Sequence, residues 1–349
     1  ETLPSGQLAR NFITSWLAYG LRLLIALLFV PYITSVLGED RYGVWVISFQ
    51  AIAFFSLLDL GFERALIRFV SKELSKLDFN AVNKVLNTTW AVYLAIGTII
   101  IAGAFITATF LFDHLKIEDP ALAHEGRAAF IVFGLFMGTR FYFLPFGGIH
   151  GAFQRHDVYN LLAMAEETIR VLALVWLLAN DYGLPSLAGA ILLISVLRNM
   201  AGAVILKRLF PETRTSLRLA DRPTLHDMFA YSRVSFGITA AWLIIFNSDP
   251  ILLGLFGSAA AAGIYAPGAQ FMIHFRGFAG QISTPLTSAV SHWQQQHELE
   301  TVAMVYLRGI KYLAYISTLV AVGVLFWAET FVTLWLPVEF ARAADVMKI

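Results

Sequence analysis

The sequence has 349 residues, of which 58% are hydrophobic and only 14% charged, with a mean hydropathy of +0.68. Soluble domains carry about 25% charged residues, so this chain folding alone in water would lack a water-compatible surface. A net charge of +1 gives no electrostatic footprint for nucleic acid, and the absence of cysteine excludes disulfides, thiolate metal sites and a cysteine nucleophile.

A helix needs roughly 20 apolar residues to cross the hydrocarbon core. By that rule nine crossings are expected, at 13–37, 42–62, 90–112, 128–151, 158–179, 184–206, 234–256, 262–287 and 306–328, with a tenth beginning near Ala341. The first apolar run is too long for a cleavable signal and lacks a small-residue cleavage site, so it reads as a retained helix. The chain starts at Glu1 and stops at Ile349 as that tenth helix begins, which reads as a fragment.

Lys and Arg set the orientation. With the N-terminus inside, the inner side holds Arg10, Arg64, Arg68, Lys72, Lys76, Lys84 and Arg155. It also holds Lys207, Arg208, Arg214, Arg218, Arg222, Arg233, Arg308 and Lys311, against Arg41, Lys116, Arg127, Arg342 and Lys348 outside. Trp16 and Trp90 then anchor inner ends, and Trp176, Tyr182 and Trp335 outer ends. The segment 63–84 reads equally as an amphipathic helix on the inner surface, with Ala65, Leu66, Phe69 and Val70 on one face, or as an extension of the second span. Lys207 to Tyr231 is the longest inner loop and marks the domain boundary. A first lobe of six helices over 1–206, a basic cytoplasmic linker over 207–233 and an incomplete second lobe over 234–349 are expected.

Pro31 and Gly38 are spaced as Pro250 and Gly257 are, and each turn is followed by Gly and Tyr, Tyr42-Gly43 and Gly263-Ile264-Tyr265. Both hairpins run in the same direction. The pattern suggests a parallel internal repeat about an axis normal to the membrane.

The stretches PYITSVLGEDRYGVW (31–45), LLDLGFERALIRFVSKE (57–73), NSDPILLGLFGSAAAAGIYAPGAQ (247–270) and TLWLPVEFARAADVMKI (333–349) resemble Wzx-type polysaccharide and O-antigen flippases. Those proteins belong to the multidrug/oligosaccharidyl-lipid/polysaccharide exporter superfamily. The resemblance spans the chain. It implies an all-α membrane protein, a polytopic bundle of two six-helix lobes around a central cavity, here with the second lobe truncated. It also implies transport in the service of O-antigen, lipopolysaccharide or exopolysaccharide synthesis in a bacterial inner membrane. Drug–cation antiporters share the superfamily architecture.

No phosphate-binding loop, HExxH motif or readable Ser–His–Asp arrangement is present, so no catalytic residue, metal site or cofactor is expected. The informative feature is charge within the spans. Arg22, Arg140, Arg170, Arg198 and Arg276 each fall in an apolar helix. Charge in lipid is costly, so such residues face a bundle interior and are functional candidates. The alternative is that each ties helices together through a carboxylate, as Glu166 could do for Arg170 from one turn earlier. Arg22 and Arg198, nearer the inner surface, could also snorkel. Asp59 and Glu63 close the second span and suit capping. Asp249, just before the helix-breaking Pro250, is a candidate for ion coupling or a local cap, and Glu166 and Glu167 are further coupling candidates. His274 suits packing or hydrogen bonding. Pro31, Pro145, Pro250, Pro267 and Pro285 permit kinks, whether mobile or static.

Together these features favour a secondary transporter that flips an undecaprenyl-pyrophosphate-linked oligosaccharide, with membrane lipids and polysaccharide assembly proteins as further partners and no nucleic acid. A cation-coupled multidrug exporter is the alternative. A membrane glycosyltransferase, polymerase or ligase would need a large outer loop, and the longest here, 113–127, is short.

Overall fold

The computed structural model describes residues 5–152, 156–295 and 299–348, and those residues form helices and turns without a strand. In chain order the helices are α1 (Ser5–Ala53), α2 (Phe62–Leu74), α3 (Phe79–His114), α4 (Pro120–Ala152), α5 (His156–Ala179) and α6 (Leu184–Leu209). There follow α7 (Arg222–Asn247), α8 (Asp249–Phe256), α9 (Ala259–Gln295), α10 (Leu299–Trp335) and α11 (Ala343–Lys348). Arg155, counted above among the inner cations, lies outside the described residues. Five described helices are long and apolar enough to cross a membrane, and the pair α7–α8, bent by 45°, makes a sixth. The protein is a multi-pass α-helical membrane protein.

A straight helix of 49 residues would be about 74 Å long, more than twice the hydrocarbon thickness. Gly38 prevents this. Its φ of 68° and ψ of 178° lie outside helical space, in a region only glycine adopts without strain. The chain reverses there. Tyr19 lies against His274 and Gly277, and Glu39 against Gly263, but Phe49 and Gln50 lie back beside Ala269 to Ile273. α1 is therefore two antiparallel crossings, as expected from the sequence.

The second crossing ends in a 3-10 turn, Phe54–Asp59, followed by Leu60 and Gly61 with φ of 51° and 82°. α2 is thus a separate helix and not an extension of the span. Asp59 takes the capping role expected of it. It accepts the N–H groups of Gly61 (3.0 Å) and Glu63 (3.2 Å) and the hydroxyl of Tyr93. The apolar face of α2, Phe62, Ala65, Leu66 and Val70, is buried. It packs on α3, α4 and α7, so it covers protein and not lipid. Arg64, Arg68 and Lys72 face outward.

The segment between α6 and α7 is strapped to α3. Asn83 donates to the Glu212 carbonyl (3.0 Å) and accepts the Arg214 N–H (2.7 Å). One turn on, Asn87 donates to the Arg214 carbonyl (2.7 Å) and accepts the Ser216 N–H (2.7 Å). Two buried amides thus bond the backbone of alternate residues in this non-helical segment. Thr88 adds a bond from the Asp221 N–H (2.9 Å). Asp221 then caps α7 through Thr224, a contact that holds its carboxyl below the usual range. As a result α7 begins at Arg222, earlier than the crossing expected from 234. Asn87→Ala should leave two loop groups without partners and cost about 1–3 kcal/mol. The measurable consequence is faster tryptic cleavage after the exposed Arg214 and Arg218. An unchanged cleavage rate would show that the strap does not hold the loop.

At the end of the bundle opposite these cations, Glu125 ties three helices. It receives both bonds from Arg41 of α1 (2.8 and 3.1 Å) and the N–H of Leu184 at the start of α6 (2.6 Å). At the same end α1 and α9 touch backbone to backbone. A Cβ on Gly43 would lie 1.8 Å from the carbonyl oxygen of Ala259, and one on Gly263 would lie 2.3 Å from that of Glu39. The contacts are reciprocal, each glycine meeting the residue four before the other. That is the relation a two-fold axis along the helices would produce, and these are the glycines of the suspected repeat.

Candidate functional site

Four of the five arginines found inside spans converge. Arg22 of α1, Arg140 of α4, Arg170 of α5 and Arg198 of α6 line one cavity of about 420 Å³, with Glu166 and Glu167 as its only carboxylates among the described residues. Four guanidinium groups against two carboxylates leave the lining doubly positive. α5 carries three of these six charged groups on one face, which is why it falls short of the apolarity expected for a simple span.

The four arginines are not equivalent. Arg170 pairs with Glu167, three residues before it, and not with Glu166 as the sequence suggested. Glu166 instead reaches across to Arg198 on α6, at 3.5 Å. Arg198 also donates to the Asn199 side chain (3.0 Å) and lies 4.8 Å over the Tyr159 ring. Arg170 and Arg198 therefore have helix-tying partners and also face the cavity. Arg22 and Arg140 are exposed to it and make no hydrogen bond or ion pair among the described residues. Glu63 is within electrostatic reach of Arg140 without an ion pair between them.

Arg276 does not join this group. It lines a second cavity of about 250 Å³ with Asp249 and Tyr265. Its guanidinium lies 3.4 Å from the Phe246 ring centroid, and its Nη1 is buried without a hydrogen-bond partner. The helix does break, at Ser248 between α7 and α8, two residues before Pro250. Asp249 does not cap the break, because its side chain makes no capping bond there and accepts the Tyr265 hydroxyl instead. His274 hydrogen-bonds Gln270 (3.1 Å), in keeping with a packing role.

A third cavity, of about 340 Å³, lies between α1, α7 and α9 and shares Phe49 with the first and Phe246 and Tyr265 with the second. Sequence inspection for charge missed it, because it has no charged residue. Its signal was weaker: side-chain amides inside apolar helices, at Gln50, Asn247 and Gln270. Among the described residues no cluster of His, Asp and Glu could hold a metal ion.

Solved structures show where this fold occurs. A transporter of the multidrug/oligosaccharidyl-lipid/polysaccharide superfamily from Pyrococcus furiosus matches 98% of this chain and 76% of its own at a TM-score of 0.69 and 16% identity. That protein is described as having a binding pocket of reversed polarity that suggests a different function. An inward-facing multidrug transporter of the same superfamily matches 93% of this chain and 79% of its own, at a TM-score of 0.64 and 16% identity. Among curated sequences, the uncharacterized membrane protein EpsK of Bacillus subtilis (strain 168) is 20% identical over 345 residues, 97% of this chain and 67% of that protein. The family described as polysaccharide biosynthesis protein matches residues 8–291. The family match over most of the chain leads to one assignment: the chain belongs to the polysaccharide biosynthesis protein family.

Proposed function

We propose that this protein is a secondary transporter that moves an undecaprenyl-pyrophosphate-linked oligosaccharide from the inner to the outer leaflet of a bacterial cytoplasmic membrane, with its N-terminus in the cytoplasm. The observation that carries this reading is the doubly positive cavity in which Arg22 and Arg140 have no hydrogen-bond or ion-pair partner among the described residues. Moving a pyrophosphate through a low-dielectric interior costs several kcal/mol per charge. Preplaced cations offset that cost, and a guanidinium meets phosphate oxygens in a bidentate way that an ammonium cannot. A lipophilic drug cation would be repelled by the same lining, so the multidrug-exporter alternative is disfavoured.

On this reading residues 1–206 and 234 onward are two lobes that rock about the central cavities, joined by the strapped linker. The Gly43–Gly263 contact closes the outer end. Asp249, with Tyr265, is the coupling candidate on the second lobe, and Glu166 and Glu167 act first as partners of arginines.

Expression of the full-length protein in a strain lacking its polysaccharide flippase tests the reading. Restored surface polysaccharide with unchanged drug resistance is expected. Drug resistance without polysaccharide would favour the exporter.

A further inference from the structure

We infer that the uncharged cavity between α1, α7 and α9 is a saccharide subsite, which takes the first sugar of the transported lipid while the neighbouring arginines take its pyrophosphate. This rests on the flippase reading above and adds the place and chemistry of sugar recognition.

A pyranose has an apolar C–H face and an edge of hydroxyls. Its complement is an aromatic face beside groups that both donate and accept hydrogen bonds, and a planar amide does both. The cavity offers this pair. Trp45 and Phe49 present rings from successive turns of α1, each held edge-on by Phe133 of α4, at centroid distances of 5.0 and 5.4 Å. Phe49 is 41% exposed although it sits inside the bundle, so its ring is open to the cavity. Tyr265 closes the wall on α9.

The amides are available. Gln50 makes no hydrogen bond among the described residues. Among the described residues Asn247 donates only to the Leu243 carbonyl (3.2 Å), which leaves its oxygen open, and Gln270 bonds only His274. A cavity of pure aromatics would suit an organic cation as well. Three amides, no carboxylate and a doubly positive neighbour argue for a neutral polyol. The cavity adjoins the arginine cavity at Phe49, so a sugar here lies beside a pyrophosphate there. The reciprocal Gly43–Gly263 contact lies just beyond it, next to its Tyr42 and Tyr265 walls.

The test is lipid binding to the full-length protein in nanodiscs. Four probes are titrated: undecaprenyl pyrophosphate alone, and the same lipid carrying one GlcNAc, glucose or galactose. At least one sugar-bearing lipid should bind about tenfold more tightly than the bare lipid, the scale of an aromatic contact with accompanying hydrogen bonds. Trp45→Ala and Gln50→Ala should each remove most of that advantage and leave bare-lipid affinity within about twofold of wild type. Gln50→Ala removes only an unpartnered amide, so it separates recognition from folding, and Trp45→Phe should keep part of the advantage. Arg140→Ala should weaken all four lipids alike. If no sugar adds affinity, or if the advantage survives both Trp45→Ala and Gln50→Ala, the subsite does not exist. Absence of binding by all four lipids would overturn the flippase reading together with the subsite.

Discussion

Arg140→Ala in the full-length protein is expected to abolish rescue of a flippase-deficient strain while leaving membrane insertion and thermal stability near wild type. The two halves of that expectation come from one fact, that Arg140 faces the cavity without an ion pair or hydrogen bond. Removing it breaks no ion pair or hydrogen bond among the described residues, and Glu63 loses only a longer-range attraction, so the fold loses little. A charge-assisted bond to a phosphate contributes about 1.5–3 kcal/mol, which is roughly 10- to 150-fold in affinity or rate. Arg140→Lys keeps the charge but loses the planar fork, so transport should recover only in part. Arg170→Ala and Arg198→Ala behave differently. Each strands a carboxylate in the bundle, Glu167 or Glu166, and should lower stability as well as transport. Normal transport by Arg140→Ala would remove the anion pathway from the account.

The second large effect is expected at the glycine contact. In Gly43→Ala the new methyl group would lie 1.8 Å from the Ala259 carbonyl oxygen and 2.5 Å from its carbon, both backbone atoms that cannot turn aside. α1 and α9 must separate. Forcing a methyl into a filled contact costs about 1–3 kcal/mol, a shift of roughly 5- to 150-fold away from the closed outer end. A cysteine at Ala266, in the wall of the uncharged cavity, reports it: in intact cells an impermeant maleimide should label it slowly with Gly43 and much faster with Gly43→Ala. Gly263→Ala should act alike. The double variant should add little, because both methyl groups open the same contact. Unchanged labelling in all three variants would show that this contact does not govern access.

The sequence made the first hairpin, its reversal at Gly38 and the break before Pro250 readable, because length, apolarity and backbone geometry are local properties. It also made the arginines readable as a set, since charge in a span has to face protein. What it could not supply was partnership. Glu166 and Glu167 are adjacent, yet only the packing of α5 on α6 decides that the first serves Arg198 and the second Arg170. Arg276 looked equivalent to Arg140, but it lies on α9 and lines a different cavity. Asn83 and Asn87 gave no signal in the sequence, because their partners are backbone groups about 130 residues away. Gly43 and Gly263 showed as a repeat, and their mutual contact is a tertiary fact. The aromatic–amide cavity carried no charge to draw attention to it.

The central claim is that the arginine cavity carries a lipid-linked anion. Flipping of a fluorescent undecaprenyl-pyrophosphate sugar, measured in vesicles with and without the purified full-length protein, tests it most directly. Protein-dependent flipping that Arg140→Ala abolishes is the result this account predicts. Vesicles that leave the lipid-linked sugar in place, yet extrude a lipophilic drug cation against a proton or sodium gradient, would contradict it.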